Sequence, residues 1–207
     1  YNSEKANTLL EVNASQNDKD FIMAVNWKKA AELVKAGKGR KVTTEYAHNT
    51  WDESTHSATS TMKKEVVVLS VEDMKDAMFM IPCPKSPHGC DVDPTGEYII
   101  GSGKLAALIP VFSFDKMIKA IADKNFAGEY DGVQVIKYEA ALHGEVQKPG
   151  LGPLHTEFDG KGNAYTSMFV SSEVVKWNIK DLKVLDRQPT FYSVGHLMIP
   201  GGDSGKP

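Results

Sequence analysis

The chain of 207 residues is long enough for one domain or for part of a larger one. Its 24 basic and 27 acidic residues leave a net charge of −3, which excludes the strongly basic surface typical of nucleic-acid-binding proteins. No run of about 18 apolar residues occurs, so the sequence predicts no membrane span. No signal peptide is recognisable either. Because the chain lacks an initiator Met and closes on the loop-like run Gly201–Pro207, we expect both ends to be cuts within a longer protein.

Short segments rich in β-branched residues and bounded by turn residues dominate the pattern and predict β-strands. Two segments have apolar residues at helical spacing instead and predict helices, Lys28–Ala36 and Phe114–Ala122. The polar stretch Lys38–Thr61 is predicted to be a loop or an irregular edge segment. The predicted strands are, in chain order, Phe21–Trp27, Glu65–Leu69, Met78–Ile81, Tyr98–Gly101, Val133–Tyr138, Ala164–Val170 and Val174–Asn178.

Two segments, Pro87–Ile99 and Leu154–Thr166, repeat one another in outline. Each places a His (His88, then His155) just before a short strand, an exposed turn and an apolar strand led by Tyr. A repeated unit that contains its own hairpin favours an all-β propeller over a sandwich, with the helices as insertions in connecting loops. Histidines at one rim of each blade would then converge near the propeller axis.

Three of the six histidines stand out as candidate metal ligands. His88 and His155 occupy equivalent repeat positions, and His196 follows a small residue and precedes an apolar one. Imidazole suits copper, zinc and iron, and the spacing of these residues leaves copper and zinc both open. The remaining histidines, His48, His56 and His143, lie outside the repeat and are predicted to be ordinary.

Cys83 and Cys90 are the only cysteines, and they flank His88. Zinc sites commonly pair two close cysteines with a second close pair, which this chain lacks. A disulfide between the two is open to them in an oxidising compartment. Ordinary buried thiols are the favoured interpretation.

The motifs place the chain near one known family. The segments Tyr1–Lys5, Ser86–Cys90, Gly101–Leu105 and, most specifically, Leu151–Thr166 resemble the propeller domain of the nitrous-oxide reductases. The resemblance extends through Val174–Asn178 and Gly195–Leu197 and covers essentially the whole chain. The stretch Ala107–Asp115 is more similar to the atypical branch of the family.

The resemblance implies part of a seven-bladed all-β propeller, about three blades of it, with a tetranuclear copper–sulfide centre held by seven His on the axis. A C-terminal cupredoxin domain with a dinuclear copper centre would lie outside this chain. The implied reaction is the two-electron reduction of N2O to N2 and water in denitrification, in the periplasm. A c-type cytochrome or a cupredoxin would donate the electrons, and the full-length protein would be a homodimer.

Carried over residue by residue, the resemblance places His88, His155 and His196 on three copper-ligand positions of the catalytic centre. Ligands of one cluster must lie close together, so we expect their ring nitrogens within roughly 10 Å of one another. Glu157 and Asp159 are candidates for orienting His155, although Asp159 fits a turn better. Because the other ligands are absent, we expect the chain alone to be inactive.

The resemblance also implies a calcium site formed by the Tyr1 carbonyl and the carboxylates of Glu4 and Asp20, close to Ser86. The alternative for both acids is a solvated surface position. Two other functions stay open for the chain as a whole. One is a propeller that binds a partner without catalysis, and the other is a calcium-dependent propeller hydrolase or lactonase.

Overall fold

The structure is a computed structural model that describes residues 2–3 and 20–207, and for residues 2–3, 46–52 and 58–62 the backbone only. Tyr1, Glu4 and the side chain of His48 therefore lie outside the described residues. Within the described part, no helix combines the length and the apolar character needed to cross a membrane.

The described residues are mostly β-strands, joined by short turns and a few helices. The helices are α1 (Trp27–Lys35), α2 (Val71–Met74), α3 (Phe114–Ala122) and α4 (Tyr138–Ala141), with a 3-10 turn at Gly202–Ser204. The strands are β1 (Asn2–Ser3), β2 (Asp20–Val25), β3 (Arg40–Asp52), β4 (Ser57–Val68), β5 (Met78–Pro82), β6 (Pro87–Val92), β7 (Tyr98–Gly103), β8 (Leu108–Ser113), β9 (Phe126–Tyr130), β10 (Val133–Ile136), β11 (Leu142–Gln147), β12 (Pro153–Phe158), β13 (Asn163–Met168), β14 (Glu173–Asn178) and β15 (Val184–Pro189).

The chain divides into two compact units, of which Val25–Met78 forms the smaller. This unit contains α1, α2 and the long antiparallel hairpin of β3 and β4. The prediction of a loop over Lys38–Thr61 is therefore wrong. The ribbon has only two strands, so neither face has to be apolar, and the alternation that marks a half-buried strand is missing. Exposed ion pairs, Lys41 with Glu65 and Lys63 with Glu45, both at 2.8 Å, join its strands instead.

The larger unit contains two four-stranded antiparallel sheets. In the first, β6, β7 and β8 are consecutive neighbours and β11 pairs with the far side of β8. The second is an uninterrupted meander from β12 to β15. Up-and-down sheets of four strands are the blade pattern of β-propellers. A further sheet, in the order β1-β2-β5-β10-β9, differs because β5 and β10 run parallel.

The first four-stranded sheet is buried on both faces. Ile100 and Val111, which are cross-strand partners, lie in a core shared with Met168, Val175 and Trp177 of the second sheet. On the opposite face Phe112, the partner of Ile99, packs in a core with residues of β2, β5, β10 and α3. The sheets are therefore stacked face to face, as neighbouring propeller blades are.

The all-β fold with helical insertions is confirmed, and α3 has the predicted bounds. Each predicted strand overlaps an observed one, but Val133–Tyr138 ends in the short helix α4 rather than continuing as a strand. The short strands predicted after His88 and His155 are observed as β6 and β12, whereas β8, β9, β11 and β15 were not predicted. His88 and His155 lie inside β6 and β12, not just before a strand. The number of blades stays a prediction.

A buried hydrogen-bond network fixes the second sheet. Trp177 is fully buried on β14, and its indole nitrogen donates to the Thr166 hydroxyl oxygen at 2.9 Å. The hydroxyls of Thr166 and Thr156 are 2.8 Å apart, which links β13 to β12. Because water cannot reach these groups, the Thr156 hydroxyl and the Trp177 indole depend on Thr166 for their hydrogen bonds.

Replacing Thr166 with Val keeps the side-chain shape but removes the acceptor of the Trp177 indole. We expect Thr166→Val to lower the free energy of unfolding by about 1–3 kcal/mol, since a buried donor is left unpaired. Urea denaturation followed by Trp fluorescence measures this. Thr190→Val, at an exposed position, is the matched control and should change stability little. Equal effects of the two variants would contradict the role assigned to the network.

Candidate metal centre

The first strands of the two four-stranded sheets, β6 and β12, lie side by side. Asp91 of β6 accepts a hydrogen bond from the backbone nitrogen of Thr156 on β12, with an Oδ2–N distance of 2.8 Å. Gly89 faces the Leu154 carbonyl so closely that any β-carbon would overlap it. The missing side chain therefore lets two strands from different sheets come together and aligns His88 with His155.

The three predicted histidines form one cluster. The ring centroids of His88 and His155 are 5.0 Å apart in an edge-to-face arrangement. His155 stacks on His196 with ring centroids 4.3 Å apart. His88 and His196 are exposed, whereas the His155 side chain keeps 22% of its accessible surface. The structure thus brings the three predicted ligand residues together, which does not test their role as ligands.

His196 belongs to no helix or strand, yet its segment is held at several points. The backbone nitrogen of Thr190 donates to the Ser172 carbonyl at 2.9 Å, and that of Ser193 donates to the Ser172 hydroxyl at 3.0 Å. Gly195 lies against the Leu154 side chain, next to His155. The turn between β13 and β14 therefore brings this segment over β12.

The other histidines have different surroundings. The His143 ring packs edge-on against Tyr98, with centroids 4.9 Å apart. His56 is exposed in the turn between β3 and β4, and the backbone of His48 lies in β3.

His155 has the features of a metal ligand. Its Nε2 atom is buried and has no hydrogen-bond partner among the described residues. The Nδ1 atom, on the other side of the ring, lies 3.9 Å from Oδ1 of Asp91. Ligand histidines commonly direct the second nitrogen toward a carboxylate in this way. The Nε2 of His143 is equally unpartnered, so it is the clustering of three imidazoles that distinguishes His155.

The donor chemistry of the three rings suits copper, because imidazole nitrogen is a preferred ligand of this metal. Among the described residues, no group of three or more His, Cys, Asp or Glu side chains is arranged to hold one metal ion. The buried Nε2 of His155, which has no partner among the described residues, fits the role of a copper ligand.

The acid beside His155 is Asp91, which sequence reasoning missed. Burial raises the pKa of the Asp91 carboxyl, against the hydrogen bond from Thr156 and the neighbouring His155, which lower it. Asp159, by contrast, accepts from the backbone nitrogens of Lys161 and Asn163 at 2.8 and 3.1 Å and stabilises the turn. Asp91 lies 65 positions before its partner Thr156, so no local motif marks it.

Glu157 lies two residues after His155 on β12 and so on the same face of the strand. Burial first, and then the charges of Asp91 and Asp203, raise the pKa of the Glu157 carboxyl. The charge of His155 acts in the opposite direction, so the Glu157 carboxyl belongs to the electrostatic surroundings of the cluster.

Asp20 is buried beside Ser86. It is only 1% exposed, and its Oδ2 accepts a hydrogen bond from the backbone nitrogen of Ser86 at 2.8 Å. The second carboxylate oxygen, Oδ1, is buried and has no hydrogen-bond partner among the described residues. A buried carboxylate oxygen without a partner fits a hard cation such as calcium. The other predicted ligands, Tyr1 and Glu4, lie outside the described residues.

Two substitutions of Asp91 test whether its hydrogen bond to the Thr156 nitrogen stabilises the fold. Asp91→Ala leaves the buried Thr156 nitrogen unpaired, so we expect a loss of about 1–3 kcal/mol in the free energy of unfolding. Asp91→Asn keeps an oxygen acceptor and should cost less than Asp91→Ala. Urea denaturation of both variants, with Asp181→Ala as an exposed control, measures the difference. Equal stabilities of the Ala and Asn variants would contradict the hydrogen bond.

Curated relatives match the chain over most of its length. Nitrous-oxide reductase from Pseudomonas fluorescens is 37% identical over 184 residues, which is 87% of this chain and 24% of the relative. The protein of the same name from Stutzerimonas stutzeri is 36% identical over 183 residues, again 87% and 24%. The one from Ralstonia nicotianae is 38% identical over 138 residues, 61% of this chain and 20% of the relative.

Other comparisons add little. No protein-family profile matches the chain. The WD40 domain of Toxoplasma gondii coronin aligns with a TM-score of 0.39 at 9% identity, over 54% of this chain and 25% of that one. Hydrazine synthase from Kuenenia stuttgartiensis aligns with a TM-score of 0.37 at 13% identity, over 69% and 29%. TM-scores this low do not establish a shared fold, and the propeller-like architecture follows from the strand pairing described above.

The sequence similarity to two of these relatives covers 87% of this chain. The chain spans about a quarter of the length of the curated relatives that it matches. On this sequence evidence, the chain belongs to the nitrous-oxide reductase family.

Proposed function

We propose that the chain forms part of a copper-dependent nitrous-oxide reductase and supplies His88, His155 and His196 to its catalytic centre. The reaction is the two-electron reduction of N2O to N2 and water, as a step of denitrification. The observation that carries the proposal is the convergence of the three rings, 5.0 and 4.3 Å between successive centroids. The names of the relatives support the same reaction.

A tetranuclear copper–sulfide centre would supply the site for N2O and the two electrons when it is bound. The part of this chain is to hold the imidazoles in fixed positions on strands β6 and β12. Asp91 lies beside Nδ1 of His155, so Nε2 is the nitrogen that would bind the metal. The hydrogen bond from Thr156 holds the Asp91 carboxylate in place.

The rest of the site belongs to parts of the protein beyond this chain. Four further His ligands and a cupredoxin domain with a dinuclear copper centre would complete the enzyme, so the chain alone is inactive. A c-type cytochrome or a cupredoxin would deliver electrons. The complete protein would be a homodimer in the periplasm, and a seven-bladed propeller would surround the centre.

The copper assignment is tested in a complete nitrous-oxide reductase that contains this segment. His155→Ala removes the central ring of the cluster, so we expect copper to be lost and N2O reduction to fall by more than about a hundredfold. Asp91→Asn keeps an acceptor for the Thr156 nitrogen and changes only the contact with His155. It should therefore lower the copper content and the activity less than His155→Ala does. Copper content per protein and N2O reduction by a reduced dye measure both quantities.

His143→Ala is the matched control because this ring also has a buried Nε2 without a partner but lies outside the cluster. It should keep the copper content of the wild type. Copper retained in His155→Ala, or lost equally in His143→Ala, would contradict the assignment.

We further propose that Asp20, with the Tyr1 carbonyl and Glu4, binds a calcium ion that supports the loop before His88. The unpartnered Oδ1 of Asp20 and the hydrogen bond of Oδ2 to Ser86 support this. Calcium needs six to eight oxygen ligands at about 2.3–2.6 Å, so water or other protein oxygens must complete the site.

Asp20→Asn keeps an acceptor for the Ser86 nitrogen but removes the charge. We expect calcium affinity to fall at least about tenfold, because the charge of the ligands sets the affinity of such sites. Isothermal titration of the chain with calcium measures this, with exposed Asp76→Asn as the control. Equal affinities for wild type and Asp20→Asn would remove Asp20 from the site.

A further inference from the structure

The segment between β5 and β6 lies across the end of β7. The backbone nitrogens of Lys104 and Leu105 donate to the carbonyls of Ser86 and Lys85, at 2.8 and 3.3 Å. At Gly103, an added β-carbon would meet the carbonyl oxygens of Pro84 and Lys85 at 2.8 and 2.9 Å. The chain therefore crosses the face of β7 before it turns and continues as β6 beside that strand.

This path brings both cysteines to Gly101. An ideal β-carbon on Gly101 would lie 2.9 Å from the Sγ atom of Cys83. Gly101 is also the cross-strand partner of Cys90 in the antiparallel pair of β6 and β7. Side chains of such partners point to the same face of the sheet, with β-carbons about 4.5–5.5 Å apart. The Cys90 side chain therefore points toward the face over which the Cys83 sulfur lies.

From this geometry we propose that Cys83 and Cys90 form a disulfide that closes the loop carrying His88. Both cysteines carry free thiols in this structure, Cys83 buried and Cys90 exposed. Gly101 leaves the space that the Cys83 sulfur occupies. The pKa of the Cys83 thiol is raised by burial and then by the charge of Cys90, in agreement with closely placed sulfurs.

The oxidant is a disulfide, of a small molecule or of a protein, as oxidising compartments provide. The exposed Cys90 thiolate attacks one sulfur of that disulfide and releases one thiolate. Cys83 then loses its proton and attacks the Cys90 sulfur, which releases the second thiolate. Two cysteine thiols are oxidised, and one disulfide is reduced to two thiols.

The closed ring would contain Lys85, Ser86 and His88. It would fix the approach of β6, and with it the backbone of His88, independently of any bound metal. The disulfide goes beyond the proposed function, and its formation is measured without copper, so failure of one proposal leaves the other standing.

Trypsin cleaves after Lys85, which lies between the two cysteines. Cys83 and Cys90 therefore fall in separate peptides, which stay linked only if a disulfide joins them. The reduced, folded protein is equilibrated with oxidised glutathione, the remaining thiols are alkylated, and the protein is digested with trypsin. We expect peptide Asp76–Lys85 linked to Ser86–Lys104 as the dominant product. If Cys83 is alkylated while Cys90 carries glutathione or an alkyl group, with no linked pair, the proposal is overturned.

Two matched variants test the order of the steps. In Cys83→Ser, Cys90 should accumulate as the mixed disulfide with glutathione. In Cys90→Ser, the buried Cys83 should stay a thiol. Rapid glutathione addition to Cys83 in Cys90→Ser would contradict the role of Cys90 as the thiol that attacks first.

The effect on the loop is measured by amide hydrogen exchange. We expect the amides of Lys85, Ser86 and His88 to exchange more slowly in the oxidised protein than in the reduced protein. Amides of α3, outside the ring, serve as the internal control. Equal exchange rates of these three amides in the oxidised and the reduced protein would show that the disulfide does not restrain the backbone of His88.

Discussion

The close approach of β6 and β12 is the constraint on which the rest of the site depends. These strands belong to different sheets, and the hydrogen bond from the Thr156 nitrogen to Asp91 joins them directly. Gly89 makes the approach feasible because any side chain would overlap the Leu154 carbonyl. With the strands in place, the rings of His88 and His155 come together in an edge-to-face contact.

Packing on both faces of the first four-stranded sheet holds this arrangement in position. One face shares a core with the second four-stranded sheet, around Trp177 and Met168, and the other packs against β5, β10 and α3. Burial of apolar area drives this stacking and is non-directional, so it sets the distance between sheets but not their register. The Asp91–Thr156 hydrogen bond is directional and joins the two sheets, and the buried Thr156–Thr166 pair joins β12 to β13 within the second sheet.

Local signals in the sequence were enough to predict α3. Phe114–Ala122 has helical spacing and a capping Ser113, so its bounds follow from neighbours in sequence. The three histidines emerged from the repeat and the family resemblance. Asp91 could not be predicted, because its role depends on a strand 65 positions away. The β3–β4 hairpin was missed for the opposite reason, since an exposed ribbon imposes no apolar pattern.

The proposed binding of one copper centre by His88, His155 and His196 can be measured in a crystal structure of the complete, copper-loaded protein, with anomalous diffraction at the copper absorption edge. We expect copper peaks within about 2 Å of a ring nitrogen of each of the three histidines, with Nε2 as the ligand of His155. Copper bound elsewhere, or a His155 ring whose Nε2 faces no metal, would contradict it.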